Sequence, residues 1–279
     1  MRIVKAIFGH TSGCIGGAIV LVYLMLAILG TLGFTPYDPV MRSPLNRLHA
    51  PSGAYWMGTD LLGRDVASRL MNGIGESFTV AFLSVALASL IGTILGLTAA
   101  WFGKRWDGLI MRTMDVLLAF PAILLALLII AIIGPGTWTS VAAIAIVYTP
   151  IFTRVVRGPA LSLKSRDFVD AARTFGSSKP YILTRHLLLN LVAPLTVQIT
   201  LALAWSLLTE AGLSFLGLGT QPPASSLGLM LSDSRNLMET APWLLIFPGL
   251  AIMISILGFN LLGDALRDIL DPKMRRSTP

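Results

Sequence analysis

Long stretches without Asp, Glu, Lys or Arg alternate along the chain with short basic ones. The first uncharged stretch runs from Ala6 to Tyr37 and is most apolar between Cys14 and Phe34; the second runs from Ser77 to Gly103. A helix needs about 20 apolar residues to cross a bilayer, so each predicts one span. Val116 to Thr153 is 38 residues long, too long for one helix, and Gly134-Pro135-Gly136-Thr137 divides it, because adjacent Gly and Pro favour a turn. The second half carries Pro150 and is expected to kink and to continue past Arg154. Leu187 to Thr209 and Thr240 to Gly263 complete six spans. Ala211 to Ser232 is also uncharged, but its glycines and the Pro222-Pro223 pair suit a regular helix poorly. It is predicted to be an extracytoplasmic loop that dips into the membrane only where protein covers it.

Composition sharpens this picture. Of 279 residues 54% are hydrophobic and 13% charged, with mean hydropathy +0.77, against roughly 25% charged in a soluble domain. The expected fold is therefore all-α and membrane-embedded, with no large extramembrane domain. The net charge of +7 would suit nucleic acid, but its placement points elsewhere. With the N-terminus inside, the inner segments 1–13, 103–113, 154–186 and 264–279 hold 16 of the 21 Lys and Arg residues, as topology requires. Nucleic acid is thus not an expected partner. The layout is a cytoplasmic N-terminus (1–13), a first span (14–34) read as a retained signal anchor after Arg2 and Lys5, and an outer loop (35–76). A core (77–263) with its inner loop at 154–186 and a cytoplasmic tail (264–279) follow.

Catalytic chemistry has no visible carrier. The string nearest a phosphate-cradling P-loop, Gly103-Lys104-Arg105, lacks the first Gly and the Ser/Thr. No His-Glu pair and no Gly-x-Ser-x-Gly elbow occurs. The single Cys14 and the scattered His10, His49 and His186 build no metal centre. No enzyme, cofactor or metal site is expected.

The segment from Arg154 to His186 is the informative one. Phe168, Ala171, Ala172 and Phe175 fall at i, i+3, i+4 and i+7, one face of a short helix. Gly176 supplies a permissive residue past its end, and Ser178 and Pro180 suit the first turn of the next helix. Two short helices are expected to meet at a cytoplasmic corner whose alanines allow close approach by another protein. The competing reading, a basic amphipathic helix lying on lipid headgroups, usually shows larger apolar residues than alanine.

Asp170-Ala171-Ala172 followed by Gly176 resembles the cytoplasmic E-A-A-x-x-x-G loop of ABC-importer permeases, the loop that docks on the ATPase subunit. Gly58-Thr59-Asp60-Leu61-Leu62-Gly63-Arg64-Asp65, Leu213-Ser214-Phe215-Leu216-Gly217-Leu218-Gly219 and Asn260-Leu261-Leu262-Gly263-Asp264, with Leu266-Arg267-Asp268 and Asp271-Pro272, look like its dipeptide/oligopeptide/nickel branch. The likeness spans about Tyr37 to Arg275. It implies the type I, MetI-like importer-permease architecture in a bacterial inner membrane. It also implies partners: a second permease subunit that is a different chain, two cytoplasmic ATPases and a periplasmic solute-binding protein. The solute would be a di- or oligopeptide, or nickel, glutathione or an opine. Three residues depart from the pattern: Asp170 stands for the usual Glu, Leu189 for a frequent Pro, and Glu76 for a frequent Arg. Leu189 predicts that the second short helix runs unbroken into the fifth span.

The fifth span carries Asn190, Pro194, Gln198, Leu201, Trp205 and Thr209 at steps of three or four, with Glu210 at the outer end. Such a polar and aromatic face fits a translocation path, with Gln198, Trp205, Thr209 and Glu210 as its candidates, and equally fits hydrogen bonding between helices. Asp115, Arg112, Asp264 and Arg267 read as ion pairs or caps at span ends, and Asp60, Arg64 and Asp65 as parts of an internally salt-bridged outer loop. A channel or secondary transporter working without ATPases is the other transport reading; it needs no cytoplasmic docking corner.

Overall fold

The computed structural model of the chain describes residues 10–270; Arg2 and Lys5, and the tail from Asp271-Pro272 onward, lie outside the described residues. Among the described residues helices alone form the framework. They are α1 (Thr11–Thr31), α2 (Val66–Phe102), α3 (Lys104–Leu118), α4 (Ala122–Ile133), α5 (Thr137–Lys164), α6 (Asp167–Thr174), α7 (Lys179–Phe215), α8 (Leu227–Ser234) and α9 (Trp243–Leu270). Among the described residues α1, α2, α5, α7 and α9 are each long and apolar enough to cross a membrane, and α3 with α4 makes a sixth candidate as a bent pair.

Three features differ from the sequence expectation. The second span was expected to start at Ser77, yet α2 begins at Val66. Asp65 caps it: its Oδ2 accepts hydrogen bonds from the Ser68 backbone N–H at 2.8 Å and the Ser68 hydroxyl at 2.6 Å, which satisfies donors that the first turn leaves orphaned. The polar residues that discouraged an earlier start, Arg69 and Glu76, sit in the outer turns of a helix of 37 residues. At 1.5 Å per residue it measures about 55 Å, well beyond a hydrocarbon core of about 30 Å.

The third span is not one helix. Pro121 has no N–H and disfavours helical geometry in the residue before it, and α3 and α4 meet there at 93°. With 12 residues, α4 reaches only about 18 Å. The third difference concerns Ala211 to Ser232. α7 continues to Phe215, and α8 buries Leu227, Gly228, Leu229 and Met230, so the helical part of this stretch is covered by protein.

The bundle is organised around α2 against α5. A Cβ added at Gly92 would lie 2.5 Å from the Cβ of Phe152 and 2.9 Å from the Thr149 carbonyl; at Gly96 it would meet the Thr153 carbonyl at 2.7 Å. Only hydrogen fits there, and the buried Ala88, Ala100 and Ala160 extend the same close packing. In a bilayer, where lipid tails are as apolar as leucine, such small-residue contacts drive helix association. α1 packs on α9 and α2, with Tyr23, Phe78, Phe82 and Phe259 forming a ring cluster at 5.5 to 6.2 Å between centroids. Outside the bundle, the loop before α2 is tied by the Arg64–Asp60 ion pair at 2.6 Å and by the Trp243 indole donating to the Thr59 carbonyl at 3.3 Å.

Gly92→Ala is expected to destabilise the protein by about 1–3 kcal/mol through overpacking. Gly17→Ala, where the added methyl meets nothing within 4 Å, should not destabilise it and gains up to about 1 kcal/mol of helix propensity. Thermal unfolding of both variants in the same detergent checks the pair.

Candidate functional site

At the corner after α5, α6 is held by a single buried anchor. In α6 only Val169 is buried, and it packs into a cluster with Leu97, Ala100, Val156, Ala160, Ile182, Leu187 and Leu191. The face read from spacing points the other way: Phe168 and Ala171 are exposed, Ala172 is half-buried, and Phe175 is 89% exposed. A single β-branched residue one position off that face is a weak signal beside four regularly spaced apolar ones, so the sequence indicated the outward side and left the anchor unread.

The end of α6 is a Schellman turn. Gly176 has φ +77°; its N–H donates to the Arg173 carbonyl at 2.9 Å, and the Ser177 N–H donates to the Ala172 carbonyl at 3.0 Å. This pairing is the six-to-one and five-to-two arrangement that closes a helix through a left-handed residue. Nothing lies within 4 Å of a Cβ added at Gly176, so backbone conformation alone favours glycine there.

Charge then locks the corner to the bundle. Arg173 forms an ion pair with Asp170 at 3.0 Å and lies over the Trp101 ring, 4.8 Å from its centroid. Lys164 is over the same ring at 5.8 Å and donates to the carbonyls of Ala100 and Trp101 at 3.0 and 2.7 Å. A cation so placed neutralises the negative end of α2 and satisfies carbonyls that the helix leaves open. Trp101 and Lys164 were not singled out in the sequence; their roles depend on α2 and α5 ending side by side. α5 is also clamped to α3, by Arg157 reaching both oxygens of Asp107 and by Arg154 pairing with Asp115 at 2.6 Å. The Asp115 pair is of the kind expected at a span end.

Beyond the corner, α7 is one helix of 37 residues. Leu189 continues it where a proline would remove a donor, and a π-helical stretch, Ile182–Leu188, precedes that residue. Along α7, Gln198 and Thr209 are half-buried and Trp205 is 60% exposed. Thr209 donates to the Trp205 carbonyl at 2.8 Å and lies 3.1 Å from the Tyr148 hydroxyl. Glu210 is not part of that face. It is fully buried, its Oε1 accepts from the Ser214 hydroxyl at 2.6 Å, and Ser77 and Ser226 lie beside the same carboxyl. One helical position turns a side chain by about 100°, which moves residue 210 from the polar face to the contact with α2 and α8. Glu76 accepts a hydrogen bond from the Thr137 hydroxyl at 2.7 Å.

Known proteins place this arrangement. Residues 88–276 match the family described as binding-protein-dependent transport system inner membrane component. A dipeptide transport system permease protein of Alkalihalophilus pseudofirmus is 45% identical over 261 residues, 94% of this chain and 86% of that one. A glutathione transport system permease protein of Pectobacterium atrosepticum is 45% identical over 241 residues, 86% of this chain and 80% of its own length. Among solved structures, an inward-facing MetNI methionine ABC transporter chain superposes with TM-score 0.57 at 18% identity, covering 73% of this chain and 96% of that one; it shares the fold. The chain belongs to the binding-protein-dependent inner membrane component family, and it is a multi-pass transport subunit of the inner membrane, all-helical and MetI-like in architecture.

Gly176→Ala should cost about 1–2 kcal/mol, the penalty for an L-residue in the left-handed region. Because this strain is local, amide exchange at residues 167–178 is expected to speed up roughly tenfold, whereas Gly176→Asn is expected to change it less. Hydrogen-exchange mass spectrometry resolves the two.

Proposed function

We propose that this chain forms half of the translocation path of an ATP-driven importer of di- and oligopeptides, with glutathione as the variant that the second relative favours. Its expected partners are a second, different permease chain, two cytoplasmic ATPases and a periplasmic solute-binding protein. In this reading both termini are cytoplasmic, in keeping with the basic residues of the inner segments. Gln198, Trp205 and Thr209 line the path, and Glu210 braces it from behind.

The observation that carries the reading is the outward face of α6. Phe175, Phe168 and Ala171 are exposed on a helix that Val169, Trp101 and a Schellman turn fix in one orientation. A rigid apolar face of two phenylalanines around Ala171 suits docking into a groove of another protein. Asp170-Ala171-Ala172 and Gly176 form the coupling element, and the ion pair with Arg173 holds the shorter Asp170 side chain on its own helix. Driving a two-state cavity from one side to the other takes about 5.5 kcal/mol of differential binding. In this reading ATP-dependent closure of the ATPases supplies it and draws the two inner corners together.

Phe175→Ser is expected to leave the thermal unfolding midpoint of the chain unchanged, since the ring touches little of its own bundle, and to cut ATP-dependent uptake of a labelled dipeptide at least tenfold in vesicles carrying the whole transporter. A cross-linking residue placed at Ala172 should capture an ATPase subunit. Capture of lipid only, or uptake by this chain without ATPases, would remove the docking assignment.

A further inference from the structure

The outer side of the chain carries five basic residues, Arg42, Arg47, Arg64, Arg69 and Arg235. Three of them, Arg42, Arg64 and Arg69, converge on one cavity of about 420 Å³ between the outer loop, the first turn of α2 and the Pro222-Pro223 loop that leads into α8; Asp233 forms another part of its wall. That volume is within the range of small-molecule sites, roughly 300–1,000 Å³.

The acidic groups present do not use up these guanidinium donors. Asp60 is largely committed to its own loop: its Oδ1 accepts the backbone N–H groups of Leu62 and Arg64 at 2.8 and 3.0 Å, and its Oδ2 accepts Arg64 Nε at 2.6 Å. Arg69, whose side chain is 4% exposed, reaches the same Oδ2 only at 3.5 Å, and Asp233 only at 3.8 Å. Asp233 is half-exposed and stands 4.0 Å from Arg64. Arg42 is exposed and forms no ion pair among the described residues. A buried guanidinium presents five donors in a fixed fork, and leaving them without close acceptors is costly. A forked anion is the group that matches them. Three guanidinium charges against two carboxylates leave one positive charge, which a single carboxylate neutralises and a phosphate dianion exceeds.

We propose that this cavity binds the free C-terminal carboxylate of a small peptide, held by Arg42, Arg64 and Arg69, with Asp233 as the internal counter-ion that the ligand displaces. The choice of a peptide as the source of the carboxylate rests on the importer reading above; the anion chemistry rests on the cavity alone. A peptide leaving its binding protein would meet this site at the outer mouth of the chain.

The test titrates the assembled transporter, in nanodiscs and without binding protein, with glycyl-leucine, glycyl-leucinamide and inorganic phosphate, followed calorimetrically. The free acid is expected to bind, and the amide at least tenfold more weakly. Arg42→Gln should weaken the free acid at least tenfold, and Asp233→Asn should tighten it several-fold by removing the competing carboxylate, a sign that a purely structural Asp233 would not give. Both residues are exposed, so neither change threatens folding. No binding by the wild type, equal binding of the amide, tighter binding of phosphate, or weaker binding in Asp233→Asn would overturn the proposal. So would an Arg42→Gln variant that binds glycyl-leucine normally but no longer retains the binding protein, because the carboxylate would then belong to a protein side chain. ATP-dependent dipeptide uptake by the wild-type transporter with its binding protein reports separately on the importer reading; uptake without binding at this cavity rejects the cavity and leaves that reading standing.

Discussion

Everything in this molecule is referred to the contact between α2 and α5. Their approach at Gly92 and Gly96 is so close that backbone carbonyls and Cβ atoms of α5 occupy the space a side chain would fill. It fixes where the two helix ends at Phe102 and Lys164 come to lie. Lys164 therefore reaches the last carbonyls of α2, and Trp101 can receive two cations on one ring. The corner of α6 is attached to the bundle at this junction and through Val169. Any wider spacing of the two helices would separate the groups that orient α6.

The opposite end of the bundle follows the same economy of placement with a different chemistry. Asp65 starts α2, Asp60 gathers the loop before it, and Ser225 donates to the Arg69 carbonyl at 3.0 Å while Ser77 accepts the Leu227 N–H at 3.1 Å. The first turns of α2 thus hold α8 in position through hydroxyl groups, which satisfy backbone donors and acceptors that the bilayer would leave bare. Glu210 belongs to this polar knot. Its neighbours are serines from α7, α2 and the start of α8, so its role is set by packing between three elements and not by the polar stripe along its own helix.

How much of this was legible in the sequence depends on how local each cause is. Uncharged runs, the division at Gly134-Pro135-Gly136-Thr137 and the Gly176 turn are written in contiguous residues, and α1, α5 and α6 can be traced from them. The continuous path of α7 through Leu189 was also readable, since it turns on the presence or absence of one ring. Less local causes were missed. The start of α2 was masked because Arg69 and Glu76 look unlike membrane residues, and a single Pro121 was outweighed by the apolar run around it. Trp101 gains its meaning only from Lys164 and Arg173, more than sixty residues away, and Val169 from a cluster that joins the ends of three other helical segments. Of the residues picked on α7, Gln198, Trp205 and Thr209 share a face, whereas Glu210 was grouped with them by adjacency in sequence and lies around the helix.

The length of α7 has a mechanical meaning. Its 37 residues form one rod of about 55 Å whose base is the inner corner. The 27 residues from Leu189 to Phe215 measure about 40 Å, so a swing of about five degrees at their base carries the far tip roughly 3.5 Å. The π-helical turns at Ile182–Leu188 sit where such a lever has its fulcrum, a place where a looser winding provides compliance. In the importer reading, a modest pull on the corner is thereby geared up into a larger displacement at the far end of the helix.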